Sequence, residues 1–343
     1  MSKVRTHGAA NTKAMVIMGR MLKSDDFNKL TRMESIDDFE NYLMKNTCYS
    51  SILNDEEIED KEIEYLIKSH MYKNYEKFYH FYIDEYRSFF KSLLVRYEVE
   101  NLKLMLRAIA RNEDIQDIRD RLVYSEVFST IDYGKLTAAS DIGEFVDGLK
   151  TTGYYEAIVN YVDENQTKIL FYMEMNLDRL YFNQLYDAIM NLEKLDRKQA
   201  LELYGINVDL LNIQWIYRGR KFFGISSEEL FNFTINNGLK YNYKVLKDLC
   251  YMDLEKFRSF IISSDYKAMF QGEESLMERA MERYLFENLD VYLKSGNLSI
   301  AIPIVMMFKT EYEMRDLITI LAGIRNKVDN VEDFLVRSLG RSE

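Results

Sequence analysis

The sequence predicts an all-α protein, and three observations carry that expectation. Among 343 residues there is one proline, Pro303, where average usage near 5% would give roughly 17. Glycine is scarce as well, at 14 residues. Turn-rich β folds need both residue types as punctuation, whereas helices run on where neither interrupts them. Apolar residues recur at helical spacing through most of the chain, and two landmarks repeat along it with a period of about 110 residues. Hydrophobic residues make up 47% of the chain, ample for two or three cores, which excludes wholesale disorder.

Taken in order, residues 1–24 hold Lys3, Arg5, Lys13, Arg20 and Lys23 and no acid. That fits the solvated face of a first helix, and it is also a pattern shared with organelle transit peptides. Asp37 and Asp38 read as a helix start, where acids complement the helix dipole. Residues 55–75 place Ile58, Tyr65, Leu66 and Met71 among Glu56, Glu57, Glu59, Glu62 and Lys68, as an amphipathic helix would. From 78 to 94 the aromatics Phe78, Tyr79, Phe81, Tyr82, Tyr86, Phe89 and Phe90 cover more than one side, so one helix buried on two faces is expected. Further long helices are expected over 170–192 and 276–293. The apolar run 298–308 falls short of the roughly 20 residues a membrane-spanning helix needs, so no span is expected.

The repeat is the central feature. Three ungapped stretches share an acid, then an Asn or Asp three places on: Glu98 and Asn101, Asp209 and Asn212, Glu313 and Asp316. Six and seven places beyond the Asn or Asp stand Arg107, Arg218 or Ala322, then Ala108, Gly219 or Gly323. The stripe Val99, Leu102, Met105, Leu106, Ile109 matches Met314, Leu317, Ile320, Leu321, Ile324, while Arg220 interrupts it in the middle copy. Upstream, Phe39, Leu43, Cys48 and Ile52 align without a gap to Phe145, Leu149, Tyr154, Ile158 and to Phe257, Ile261, Tyr266, Phe270. Three all-helical units are therefore expected, over 1–125, 126–236 and 237–343. Each begins with a short helix ending in TCYSSI, GYYEAI or DYKAMF, and closes with the acid-bearing helix and a following EDIQDI, SSEEL or DNVEDFL helix. The paired polar side chains share a helix face. Two readings stand: they line a cavity for a partner, or they bond neighbouring loops and fix the packing. A small residue two turns on lets another helix approach.

Catalytic chemistry is not legible. The chain has no phosphate-cradling GxxxxGK[ST], since Gly134-Lys135 leads into Leu136 without a glycine-rich approach. His7, His70 and His80 sit in no metal-binding spacing, and Cys48 and Cys250 read as reduced thiols rather than a disulfide or zinc set. Asp37-Asp38-Phe39-Glu40-Asn41 resembles the aspartate-rich magnesium site of helical terpenoid synthases, but the second metal-binding motif such a site needs is missing. No residue is assigned as catalytic, cofactor-binding or metal-ligating, and no cofactor is expected. With 45 Lys and Arg against 56 Asp and Glu, the net charge is −11, which opposes binding to nucleic acid or anionic lipid. A cytoplasmic protein without a small-molecule substrate is expected, reaching a membrane through protein partners alone.

The stretches AANTKAMVIMGRML (9–22), YEVENLKLMLRA, NLDRLYFNQL (176–185), DLLNIQWIYRGRKFFGISSEEL and EYEMRDLITILAG together resemble, in order over almost the whole chain, the C subunit of archaeal- and bacterial-type V-ATPases, related to the d subunit of the eukaryotic enzyme. Two positions depart from the family pattern: Ala322 stands where a basic residue is expected, and Pro303 lies in GNLSIAIPIVMMF (296–308), where the family has a glycine- and proline-containing turn. The resemblance implies a funnel of three similar helical domains with pseudo-threefold symmetry, seated on the cytoplasmic face of the membrane rotor ring. It implies a non-catalytic part that joins this ring to the central stalk and so couples ATP hydrolysis or synthesis to proton or sodium transport. The alternative from another class is a free-standing helical scaffold that binds protein partners outside any rotary complex.

Overall fold

The computed structural model describes residues 3–53, 60–113, 115, 118, 122–125, 129–162, 166–294 and 298–339, and among these every regular element is helical. The chain opens with α1 (Lys3–Met18), α2 (Ser24–Leu30) and α3 (Ile36–Asn46), then runs through two long helices, α4 (Asp60–Phe81) and α5 (Asp84–Ala110). Short α6 (Tyr133–Leu136), α7 (Ile142–Gly148) and α8 (Tyr155–Ile158) lead to a second long pair, α9 (Gln166–Met190) and α10 (Lys194–Phe222). There follow α11 (Ser227–Phe233), α12 (Tyr243–Tyr251), α13 (Leu254–Ile262), α14 (Met277–Asn288), α15 (Asp290–Leu293) and the long α16 (Ala301–Asn326).

Several expected boundaries move. The aromatic stretch 78–94 is two helices, because Asp84 adopts φ 50°, a left-handed backbone that a helix cannot run through. The stretch 276–293 likewise divides into α14 and α15. Glu56, Glu57, Ile58 and Glu59 lie outside the described residues, as do Asp114, Gln116 and Asp117 of the EDIQDI segment. SSEEL forms α11, opened by a capping box in which Ser226 and Glu229 bond each other's backbone N–H. DNVEDFL contributes only a single 3-10 turn, Val331–Phe334. Pro303 is the third residue of α16, inside the first turn, where a missing N–H costs no intrahelical bond.

Two compact units result. One is continuous, Ile83–Phe260, and the other is assembled from both chain ends, Met1–Tyr82 and Ile261–Glu343. In the continuous unit α5 packs against α9, and α10 packs on α9 from its other side in sequence. Phe89, Phe90, Leu102, Met173, Leu177 and Ile216 are all but excluded from solvent there. In the unit made of both ends, α1 and α4 pack on α16, which is buried around most of its circumference, as an apolar helix at a core centre must be. Phe27, Phe39, Phe78, Leu317 and Leu321 are 0% exposed in that core, each contributing about 1.5–3 kcal/mol by burial. In both units the second long helix of one sequence copy meets the first long helix of the next, α5 with α9 and α16 with α4. Every residue of the predicted stripes is buried except Ile324, which is half-buried.

Candidate functional site

The recurring polar faces of α5, α10 and α16 are buried and occupied. Asn101 Nδ2 donates to the Val123 carbonyl at 3.0 Å and to the Tyr133 hydroxyl at 3.2 Å. Asn212 donates to the Ile235 carbonyl at 2.8 Å and accepts from the Ile235 N–H at 2.9 Å. Asp316 accepts from Val336 N–H at 2.6 Å and from Arg337 Nε at 2.9 Å. The partner backbone thus lies 22, 23 and 20 residues downstream in the three copies. Each side chain closes the loop that leaves its own helix, supplying bonds that buried backbone groups require.

The acids one turn earlier reach further in two copies. The Tyr154 hydroxyl donates to Glu98 Oε2 at 2.7 Å, and the Tyr49 hydroxyl donates to Glu313 Oε1 at 3.1 Å. Leu22 N–H also donates to Glu313 Oε2 at 2.8 Å. In the middle copy the shorter Asp209 bonds locally, accepting from Lys240 N–H at 2.7 Å and Tyr241 N–H at 3.2 Å. The two long contacts join one sequence copy to the next, and the third copy to the first. Burial, reinforced by the facing carboxylates, pushes both tyrosine hydroxyls upward in pKa.

These contacts correct the expected register of the upstream landmark. Tyr49, not Cys48, is the counterpart of Tyr154 and Tyr266. A hydroxyl two places before each tyrosine accepts that tyrosine's N–H, at 3.2 Å from Thr47, 3.2 Å from Thr152 and 3.1 Å from Ser264. The same hydroxyls donate back to Leu43, Leu149 and Ile261 carbonyls. The spacing from hydroxyl to carbonyl is four residues in the first copy and three in the others, so one inserted residue shifts the alignment. The signal was present in the sequence as T-C-Y, T-G-Y and S-D-Y.

The small residue after each face admits the next element. A Cβ on Gly219 would stand 2.5 Å from Leu230 Cδ2, and one on Gly323 would stand 2.6 Å from Val331 Cγ2. Arg107 forks onto Glu174, Nε to Oε1 at 2.6 Å and a terminal nitrogen to Oε2 at 2.8 Å, Arg218 is exposed, and Arg220 reaches the Met252 carbonyl. Sequence reasoning missed Lys103, which is 8% exposed and bonds Asp178 at 2.9 Å. Burial disfavours its charge, but Asp178, Glu100 and Glu174 outweigh burial and raise its pKa. The polar faces therefore follow the second of the two readings and fix the packing of loops and helices.

The residues weighed for chemistry have plain structural surroundings. Ser35 caps α3 by accepting from Asp38 N–H at 3.1 Å, so Asp37 and Asp38 occupy the first turn of a helix. His7 is buried with Nδ1 3.3 Å from the Tyr82 hydroxyl, and the His70 ring lies 5.4 Å from that of Tyr49. Cys250 is buried and Cys48 half-buried. Burial raises the thiol pKa to about 12 and about 11 respectively, Glu313 adding to the second. Among the described residues no group of three or more His, Cys, Asp or Glu is arranged to hold a metal ion, and no helix is long and apolar enough to cross a membrane. Lys3 and Arg5 project from the exposed face of α1, with Ala10, Asn11 and Ala14 beneath.

Among the described residues the body is helical throughout, and its repeated polar residues are internal ties between helices and loops. The pattern of the ATP synthase (C/AC39) subunit family matches residues 10–332, and the chain belongs to that family. Over 96% of its length it is 23% identical to the C subunit of the A-type ATP synthase of Methanosarcina acetivorans, covering 91% of that protein. The corresponding protein of Thermococcus kodakarensis is 22% identical over 92% of this chain and 86% of its own length. That of Methanothermobacter thermautotrophicus is 26% identical over 82% and 73% respectively. The chain is thus a non-catalytic subunit of a rotary ATP synthase, and a free-standing scaffold is not favoured.

Proposed function

We propose that this chain is the linker between the central stalk and the membrane rotor ring of an A/V-type ATP synthase, held on the cytoplasmic side through protein contacts. It passes rotation between the ring, driven by protons or sodium ions, and the head that makes or hydrolyses ATP. The family match over residues 10–332 carries this reading. Three helical modules, 1–125, 126–236 and 237–343, arranged as a pseudo-threefold funnel, suit a part in which a shaft seats. The recurring ties from α5, α10 and α16 support the presence of three related copies. A part that transmits torque must resist shear, and close-packed helices with few breaks supply that stiffness. The role requires no catalytic, cofactor-binding or metal-ligating residue in this chain.

The test is biochemical. Affinity purification through this chain recovers stalk and ring subunits in fixed stoichiometry, and membranes stripped of it retain ATP hydrolysis by the head but lose ATP-driven ion transport. A purified, fully coupled enzyme that lacks the chain overturns the proposal.

A further inference from the structure

In the continuous unit the acid tie from Glu98 to Tyr154 spans one uninterrupted stretch of chain. In the other unit the equivalent tie joins the two ends, and Glu313 of α16 lies at that join. The residue is 2% exposed, and its carboxyl is bonded by Leu22 N–H and the Tyr49 hydroxyl, both from the N-terminal segment. Three residues on, Asp316 is 0% exposed and is bonded by Val336 N–H and by Arg337. Arg337 also lies 3.6 Å from the centre of the Phe27 ring and 3.4 Å from the Leu22 carbonyl. The other titratable groups around the cluster are the Cys48 thiol, itself influenced by Arg20, and His70 against Tyr49. Burial, with Lys77 and Lys73, disfavours the charged form of His70.

Two buried carboxyls therefore share one guanidinium, and that guanidinium bonds the other acid. A surplus negative charge sealed from water is costly, and holding a proton relieves it. We propose that Glu313 is a proton-operated latch between the two ends of the chain: neutral, it holds the N-terminal segment against α16, and ionised, it loosens it. Burial pushes its carboxyl up to about 7, with Arg337, the Leu22 N–H and Tyr49 acting in the opposite sense. A raised carboxyl pKa stabilises the closed join fully below about 4.5, the ordinary value, and that stabilisation is lost as pH rises through about 7.

Hydrogen exchange on the purified full-length chain at a series of pH values, corrected for intrinsic exchange chemistry, tests this. Amides in residues 18–30 and 44–53 are expected to open roughly 70-fold more often at pH 8 than at pH 5, from tenfold per unit of pKa difference, with α12 as internal reference. Glu313→Gln keeps a neutral group of the same shape and flattens that profile. The same pH dependence in E313Q, or none in the wild type, overturns the latch. Tyr49→Phe, which removes a donor to the carboxylate, is a second arm independent of E313Q folding. It shifts the midpoint to higher pH, and an unmoved midpoint is a contrary result.

Discussion

Asn212 makes two bonds to one residue, donating to the carbonyl of Ile235 and accepting from its N–H. Replacing it with alanine leaves both buried backbone groups without partners, each loss costing about 1–3 kcal/mol. Asn212→Ala is therefore expected to lower the urea midpoint by an amount equivalent to about 2–6 kcal/mol, with an unchanged slope. Lys103 has a different balance. Lys103→Met leaves Asp178 buried without its cation, an expected loss of about 3–5 kcal/mol, and Lys103→Met combined with Asp178→Leu recovers most of it. Burial raises the Asp178 carboxyl to about 6, Lys103 opposing the shift. Its own titration thus adds stability below its ordinary range that is lost as pH passes 6, and in Lys103→Met that loss moves to higher pH. Comparing the pH dependence of thermal midpoints in the wild type and in Lys103→Met checks the sign.

At the scale of helices, close approach decides what each position tolerates. Gly219 and Gly323 face Leu230 and Val331 at distances that leave no room for a side chain. Gly219→Val and Gly323→Val should each cost about 1–3 kcal/mol through overpacking, read as a lowered thermal midpoint with unchanged helical circular dichroism. The sequence spelled out this constraint, because Ala108, Gly219 and Gly323 occupy one place in the repeat. It also spelled out the helical class, through the rarity of proline, and the buried stripes of α5 and α16. The break at Asp84 was hidden, since neither glycine nor proline marks it and the φ of one aspartate makes it. Tyr49 was missed because alignment by apolar spacing absorbs a one-residue insertion, whereas the hydroxyl-to-backbone bond pattern does not. Lys103 with Asp178 depends on which helices face each other, information that periodicity within one helix does not contain.

For the molecule as a whole, the contact units do not follow the sequence period. Each unit couples the second long helix of one copy to the first long helix of the next, which the repeat alone could not indicate. The continuous unit carries its own core and ties, so a fragment of residues 83–260 is expected to fold alone with a cooperative thermal transition. A fragment of residues 261–343 lacks α1, α3 and α4, which cover α16, and should be unstructured by circular dichroism until residues 1–82 are supplied in trans. Independent cooperative folding of 261–343 would contradict this division.

The tie between Leu22 and Glu313 spans 291 positions, which has a consequence during synthesis. The first 82 residues leave the ribosome long before the helix that buries them exists. The middle of the chain can settle as it emerges, while the leading segment waits, its apolar faces open to chaperones and proteases. A nascent chain stalled short of residue 300 should therefore protect 83–260 from protease and leave the first 82 residues open to cleavage. The last residues translated would then act as the closing piece for the first.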